Sequence, residues 1–185
     1  RKNPELMEII EMQAIMEAII YVADDPVKIE HFKDVFPNES RAHIEQALNA
    51  LMEAFNARPG GMSIREVAGG YRMTTRPEYH EEIRAYLKTR PNAKLSMAAL
   101  ETLAVIAYKQ PVTLAEILAI RGKKSSTALQ TLLERKMVAI LGRKAVVGRP
   151  ILYGTSKEFL IHFGLNGLAD LPTLEEFAQI AGEHL

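Results

Sequence analysis

The sequence predicts a mainly α fold with small β-hairpins (α+β), arranged as two tandem winged helix-turn-helix domains over residues 1–91 and 92–185. Two observations predict it. Apolar residues recur at three- and four-residue spacing through three successive segments and then switch to the two-residue spacing of strands. That order occurs twice: at an offset of 85 residues, Ile20, Pro26, Val27, Ile29, Phe32, Val35, Ile44 and Leu48 align with Val105, Pro111, Val112, Leu114, Ile117, Ile120, Leu129 and Leu133. The register holds across three elements, the mark of a repeated unit.

In the first copy, Leu6, Ile9, Ile10, Met16, Ile20 and Ala23 are expected on one helical face, and Asp24-Asp25-Pro26 stops the helix because proline cannot continue it. Asp25 is expected to cap a second helix that buries Val27, Ile29, Phe32 and Val35 and ends at Pro37-Asn38. A third helix places Ile44, Ala47, Leu48, Leu51 and Phe55 three and four apart and ends near Arg58-Pro59-Gly60-Gly61. Met62 to Val67, Ala68-Gly69-Gly70 and Tyr71 to Thr75 then read as a hairpin whose glycines supply positive φ. Thr75 with Glu78 predicts a capping box opening an exit helix over 76–89, and Arg90-Pro91-Asn92 is the expected joint between domains.

The second copy repeats the order. Met97, Leu100, Leu103, Ala104 and Ala107 face the core from a first helix closed by Pro111, and Thr113 with Glu116 forms a capping box for a short second helix ending at Gly122. Ala128, Leu129, Leu132 and Leu133 mark the third helix. Val138 to Leu141 and Ile151 to Tyr153 flank a wing loop from Gly142 to Pro150. Thr155 with Glu158 and Thr173 with Glu176 are expected to cap two short C-terminal helices.

The 185 residues are 48% hydrophobic and 25% charged, enough for a sizeable core and unlike a disordered chain. Zero cysteines exclude disulfides, thiolate metal sites and a Cys nucleophile. No apolar run reaches the roughly 20 residues of a membrane span, and Glu5, Glu8, Glu11 and Glu17 argue against a signal peptide, so a cytoplasmic protein is expected. The chain begins Arg1-Lys2 without a methionine and reads as trimmed, with further sequence expected beyond its ends.

A net charge of zero hides a polarity along the chain. Residues 1–93 carry 12 basic and 15 acidic side chains, a balance of −3, whereas residues 94–157 carry 11 basic and 3 acidic, a balance of +8. Residues 158–185 hold 5 acids and no Lys or Arg. The basic middle raises an anionic partner, nucleic acid first.

Several long motifs carry a resemblance. Ser96 to Thr113 (SMAALETLAVIAYKQPVT), Glu116 to Gly122 (EILAIRG), Thr131 to Arg135 (TLLER), Gly148 to Thr155 (GRPILYGT) and, in the first copy, Glu66 to Tyr79 (EVAGGYRMTTRPEY) resemble the segregation and condensation protein B family, in order over nearly the whole chain. Ala145-Val146-Val147, where that pattern has a proline, and the basic Lys123-Lys124 depart from it. The resemblance implies a non-enzymatic subunit of the bacterial SMC condensin, built of two winged-helix domains and homodimeric through the first. It implies binding of the kleisin subunit, segregation and condensation protein A, which bridges the heads of the SMC ATPase in chromosome condensation and segregation. A nucleoid-associated protein follows, with no cofactor and no metal.

The residues themselves favour binding over catalysis. His31, His43, His80, His162 and His184 are scattered without ligand spacing, the paired glycines lack the sequel of a phosphate loop, and there is no GxSxG elbow. Helix 96–108 is apolar almost all round, so Leu103, Val105, Ile106 and Tyr108, with Leu152, Tyr153, Phe159 and Phe163, are the expected kleisin groove. Met12, Ile15, Ile19 and Val22 are the expected homodimer stripe. Lys123, Lys124, Arg143, Lys144 and Arg149 are candidates for nonspecific DNA contact, with Ser125, Ser126, Thr127 and Gln130 at the start of the third helix. Glu39 and Glu45 make the first copy's equivalent helix unsuited to phosphate. The rival reading is a winged-helix transcription regulator using the basic module.

Overall fold

The computed structural model describes residues 8–88, 95–122 and 125–173. The fold is mainly helical with two small antiparallel sheets. The chain divides into two units, Arg1–Asn92 and Ala93–Leu185, each with its own apolar core.

In the first unit, α1 (Ile9–Val22), α2 (Ile29–Val35) and α3 (Arg41–Ala57) precede strands β1 (Met62–Val67) and β2 (Gly70–Thr75). Met12, Met16 and Ile20 form the buried stripe of α1 at i, i+4 and i+8, against Phe32 of α2 and Ile44, Leu48, Leu51 and Phe55 of α3. Ile10, expected in that core, is 76% exposed, since the stripe passes through Met12 instead. Helix α2 starts three residues later than expected. Lys28, not Asp25, is its N-cap, because Val27 is taken into a β-bridge in which Val27 and Tyr71 exchange two N–H···O bonds of 2.8 Å. Ser40 caps α3 by accepting from the His43 N–H at 3.1 Å.

The hairpin turn also differs from expectation. Ala68 and Gly69 carry the positive φ angles, 52° and 73°, as a two-residue turn of the primed type requires. Gly70 serves another purpose: a Cβ there would lie 2.9 Å from the carbonyl carbon and oxygen of Pro26. The exit begins as a 3-10 turn, Pro77–Tyr79, followed by α4 (His80–Lys88). Its N-cap is Arg76 and no side chain caps it. Arg76 instead donates to the carbonyls of Met62, Asn56 and Arg58, joining the hairpin to the end of α3.

In the second unit, α5 (Met97–Lys109) leads through β3 (Val112–Thr113) to α6 (Leu114–Arg121) and α7 (Ser125–Glu134). β4 (Val138–Arg143), β5 (Ile151–Thr155), α8 (Lys157–Phe163) and a 3-10 turn at Leu168–Asp170 follow. The sheet order is β3-β5-β4, with Val112 opposite Tyr153 and Ile140 opposite the same tyrosine. The short β3 is an addition to the sequence reading, and β4 and β5 each run two residues longer than expected. The capping box at Thr113 and Glu116 is present. For α8 the cap is Ser156, one residue beyond the expected Thr155; its hydroxyl accepts from the Phe159 N–H at 3.0 Å. The helix expected after Thr173 lies outside the described residues.

Candidate protein-binding face

Helix α5 sits on its unit's core through Ala99, Thr102, Leu103, Ile106 and Ala107. Ser96 caps it by accepting from the Ala99 N–H at 3.2 Å. Thr102, fully buried, satisfies its hydroxyl by donating to the Ala98 carbonyl at 2.7 Å. The opposite side of the helix remains apolar. Met97 is 70% exposed and Leu100 39%, while Ala104, Val105 and Tyr108 are half-buried. The one charge among them, Glu101, is paired with Arg121. An apolar stripe along a helix that its own unit leaves to solvent is a surface on which a partner gains burial.

The expected groove is therefore corrected residue by residue. Leu103 and Ile106 are core, at 2% and 0% exposure, and Tyr153 and Phe159 are buried as well. Small residues at 99 and 107 let α5 sink deep enough to take both Leu103 and Ile106 into the core, which a wheel drawn through Leu100 and Met97 misplaces. Val105, Tyr108, Leu152 and Phe163 keep accessible surface. The Phe163 ring lies 4.8 Å from that of Phe159, centroid to centroid, so it extends the core outward. The sequence reading missed Met97 and Leu100 as surface residues. Their signal was the i, i+3, i+7 and i+11 spacing of Met97, Leu100, Ala104 and Tyr108, all apolar and all away from Leu103 and Ile106. Tyr108 also donates its hydroxyl to the Pro172 carbonyl at 2.6 Å, so the chain leaving the unit passes the C-terminal end of this stripe.

On the first unit the expected dimer stripe is likewise corrected. Met12 is fully buried, and Ile15 and Ile19 pack against the core; Val22 remains exposed. The residues that α1 shows to solvent are Ile10, Ala14, Glu17 and Tyr21, at i, i+4, i+7 and i+11. Ile10, Ala14 and Glu17 line a shallow groove with Leu51 and Phe55. Arg58 closes one side of it, stacked 3.6 Å from the Phe55 ring centre and paired with Glu17 at 3.3 Å.

The basic candidates are held in different ways. Lys123 and Lys124 lie outside the described residues. Lys144 donates to Glu116 Oε1 at 2.6 Å, while Glu116 Oε2 accepts from the Thr113 N–H at 2.7 Å and its hydroxyl at 2.8 Å. One carboxylate thus ties the wing to the start of α6. The Lys144 ammonium, with the Thr113 donors, holds the Glu116 pKa down at about 2. Arg143 donates to the Arg149 carbonyl at 3.0 Å across the base of the wing, and both side chains stay exposed. At the start of α7, Ser125 is buried and donates to the Gly122 carbonyl, whereas Ser126, Thr127 and Gln130 are exposed. In the first unit Glu39 is not on display; it is buried against His43, 2.6 Å from Nδ1. No group of three or more His, Cys, Asp or Glu side chains is placed to hold a metal among the described residues.

Two helical units, each closed by a hairpin and each showing an apolar helix stripe, make up the described chain. Residues 14–174 match the model of the Segregation and condensation complex subunit ScpB family, and the chain belongs to that family. Its relatives include the Segregation and condensation protein B of Syntrophotalea carbinolica, 43% identical over 96% of this chain and 89% of that protein. The protein of the same name from Symbiobacterium thermophilum is 45% identical over 87% of this chain and 73% of that one. Among solved structures, that of ScpB from Mycobacterium tuberculosis is 30% identical, covers 86% of this chain and 99% of that one, and has a TM-score of 0.42.

Proposed function

We infer that this protein is a non-enzymatic accessory subunit of a bacterial SMC condensin, a homodimeric adaptor of two winged-helix domains that holds the kleisin subunit, segregation and condensation protein A. Membership of the ScpB family across both units is the observation that carries this reading. The first domain supplies the dimer contact, through the stripe of Ile10, Ala14 and Tyr21 together with Val22. The outer face of α5, extended by Phe163, receives an amphipathic helix of the kleisin, which connects the adaptor to the SMC ATPase. The protein works in the cytoplasm, on the nucleoid, in chromosome condensation and segregation. Among the described residues no helix is long and apolar enough to cross a membrane.

Direct DNA contact is secondary. Lys144 and Arg121 already face carboxylates, so Arg143 and Arg149 supply a weak, salt-sensitive attraction to phosphate and no base readout. This favours the adaptor over a sequence-specific regulator. The test is mass in solution by sedimentation, with and without the central kleisin segment. A dimer that gains the mass of bound kleisin supports the reading. A monomer indifferent to the kleisin segment, together with operator-specific DNA binding at moderate salt, overturns it.

A further inference from the structure

The outer face of α5 ends where the described chain ends. Tyr108 fixes the Pro172 carbonyl, and Leu171 packs against the second core beside it. The chain is thereby delivered to the C-terminal end of the stripe that runs back through Ala104 and Leu100 to Met97. Twelve residues follow Thr173 in the sequence, Leu174 to Leu185. On helical spacing Leu174, Phe177, Ala178, Ala181 and Leu185 fall on one side, and Glu175, Glu176, Gln179 and Glu183 on the other. A 12-residue helix measures roughly 18 Å. From Tyr108 back to Met97, at the same rise, is about 16 Å. Length, starting point and pattern agree, and the three glutamates suit a module whose stretch 94–157 has a balance of +8.

We propose that residues 174–185 lie as an amphipathic helix along the outer face of α5, covering Met97, Leu100 and Ala104, and so compete with the kleisin helix for that face. The competition rests on the kleisin reading above; the tail contact does not. A segment tethered at the edge of the face acts at high effective concentration, so even a weak contact lowers the apparent affinity of an external helix. The adaptor would then open this face only to a partner that outbids its own tail.

The chain has no cysteine, which makes an engineered crosslink clean. In the full chain, Leu100→Cys with Ala181→Cys tests the antiparallel alignment, and Gln130→Cys with Ala181→Cys is the control on an exposed part of α7. A disulfide needs Cα atoms within about 7 Å. The expected result under mild oxidation is an intramolecular disulfide for the first pair and none for the control. No disulfide, equal crosslinking of both pairs, or a disulfide joining two chains overturns the tail contact. In parallel, Phe177→Asp with Ile180→Asp in the full chain is expected to raise the affinity for the kleisin segment three- to tenfold, measured by calorimetric titration. Unchanged affinity alongside the intramolecular disulfide leaves the tail contact standing and overturns the competition, and with it the kleisin's assignment to this face.

Discussion

The two units solve the same local problem with different chemistry. In each, a Pro-Val pair follows the first helix and the valine is pinned to a tyrosine of the second hairpin strand, Val27 to Tyr71 and Val112 to Tyr153. In the first unit this is a single bridge. In the second it grows into a two-residue strand and a three-stranded sheet. The residue that opens the second helix differs too. Thr113 and Glu116 correspond, at the repeat offset of 85, to Lys28 and His31. His31 accepts the Lys28 N–H through Nδ1 at 3.3 Å and stops there. Glu116 does the same task with one oxygen and holds the wing through Lys144 with the other. A repeated backbone plan thus gained a wing anchor in one copy only, and the carboxylate needed for it is affordable where the surrounding sequence is basic.

The largest effects should come from breaking the shared plan. Ile106→Ala is expected to cost about 3 kcal/mol, as for other large-to-small changes in a full core, whereas Leu100→Ala on the outer face should stay within about 0.5 kcal/mol. Chemical denaturation of both variants measures the contrast; equal losses would mean that α5 has no outer face. Gly70→Ala is expected to cost about 2–3 kcal/mol because the new Cβ meets Pro26 backbone. Gly154→Ala should cost less, since the atoms it meets are the side-chain ends of Leu141 and Gln110, which can turn. Thermal melts that reversed this order would show that the two hairpins are braced differently from the structure.

Smaller effects sharpen the difference in helix starts. Thr113→Ala removes an N-cap and is expected to cost about 1 kcal/mol, with Lys28→Ala near zero because no side-chain bond is made there. Glu116 has a folded pKa below its unfolded value, so its contribution is present above about pH 4.5 and fades as the pH falls toward 2. Glu116→Gln should flatten the second unit's acid sensitivity in that window, read by melts at pH 5 and pH 3. An unchanged slope would mean that Lys144 does not hold the carboxylate.

Much of this architecture was legible in residue order. Three helices and a hairpin, twice, follow from spacing, and the Thr113 capping box from four residues. What escaped were features fixed by contacts distant in sequence. Val27 reads as the first apolar residue of a helix until its tritone of partners, Pro26, Gly70 and Tyr71, draws it into a bridge. On α5, where nearly every residue is apolar, periodicity has little contrast, and only packing decides that Leu103 and Ile106 turn inward while Met97 and Leu100 turn out. The same holds for Met12 and Ile10 on α1. The binding faces were therefore placed on the right helices and on partly wrong residues.

The central claim is that α5 offers an outer face to a partner helix. It is tested most directly by titrating the central kleisin segment into the protein and into its Leu100→Asp variant, by calorimetry at matched salt. The account predicts a loss of tenfold or more in affinity, with the melting temperature and the solution mass of the free variant unchanged. Equal affinity for the two proteins would contradict it.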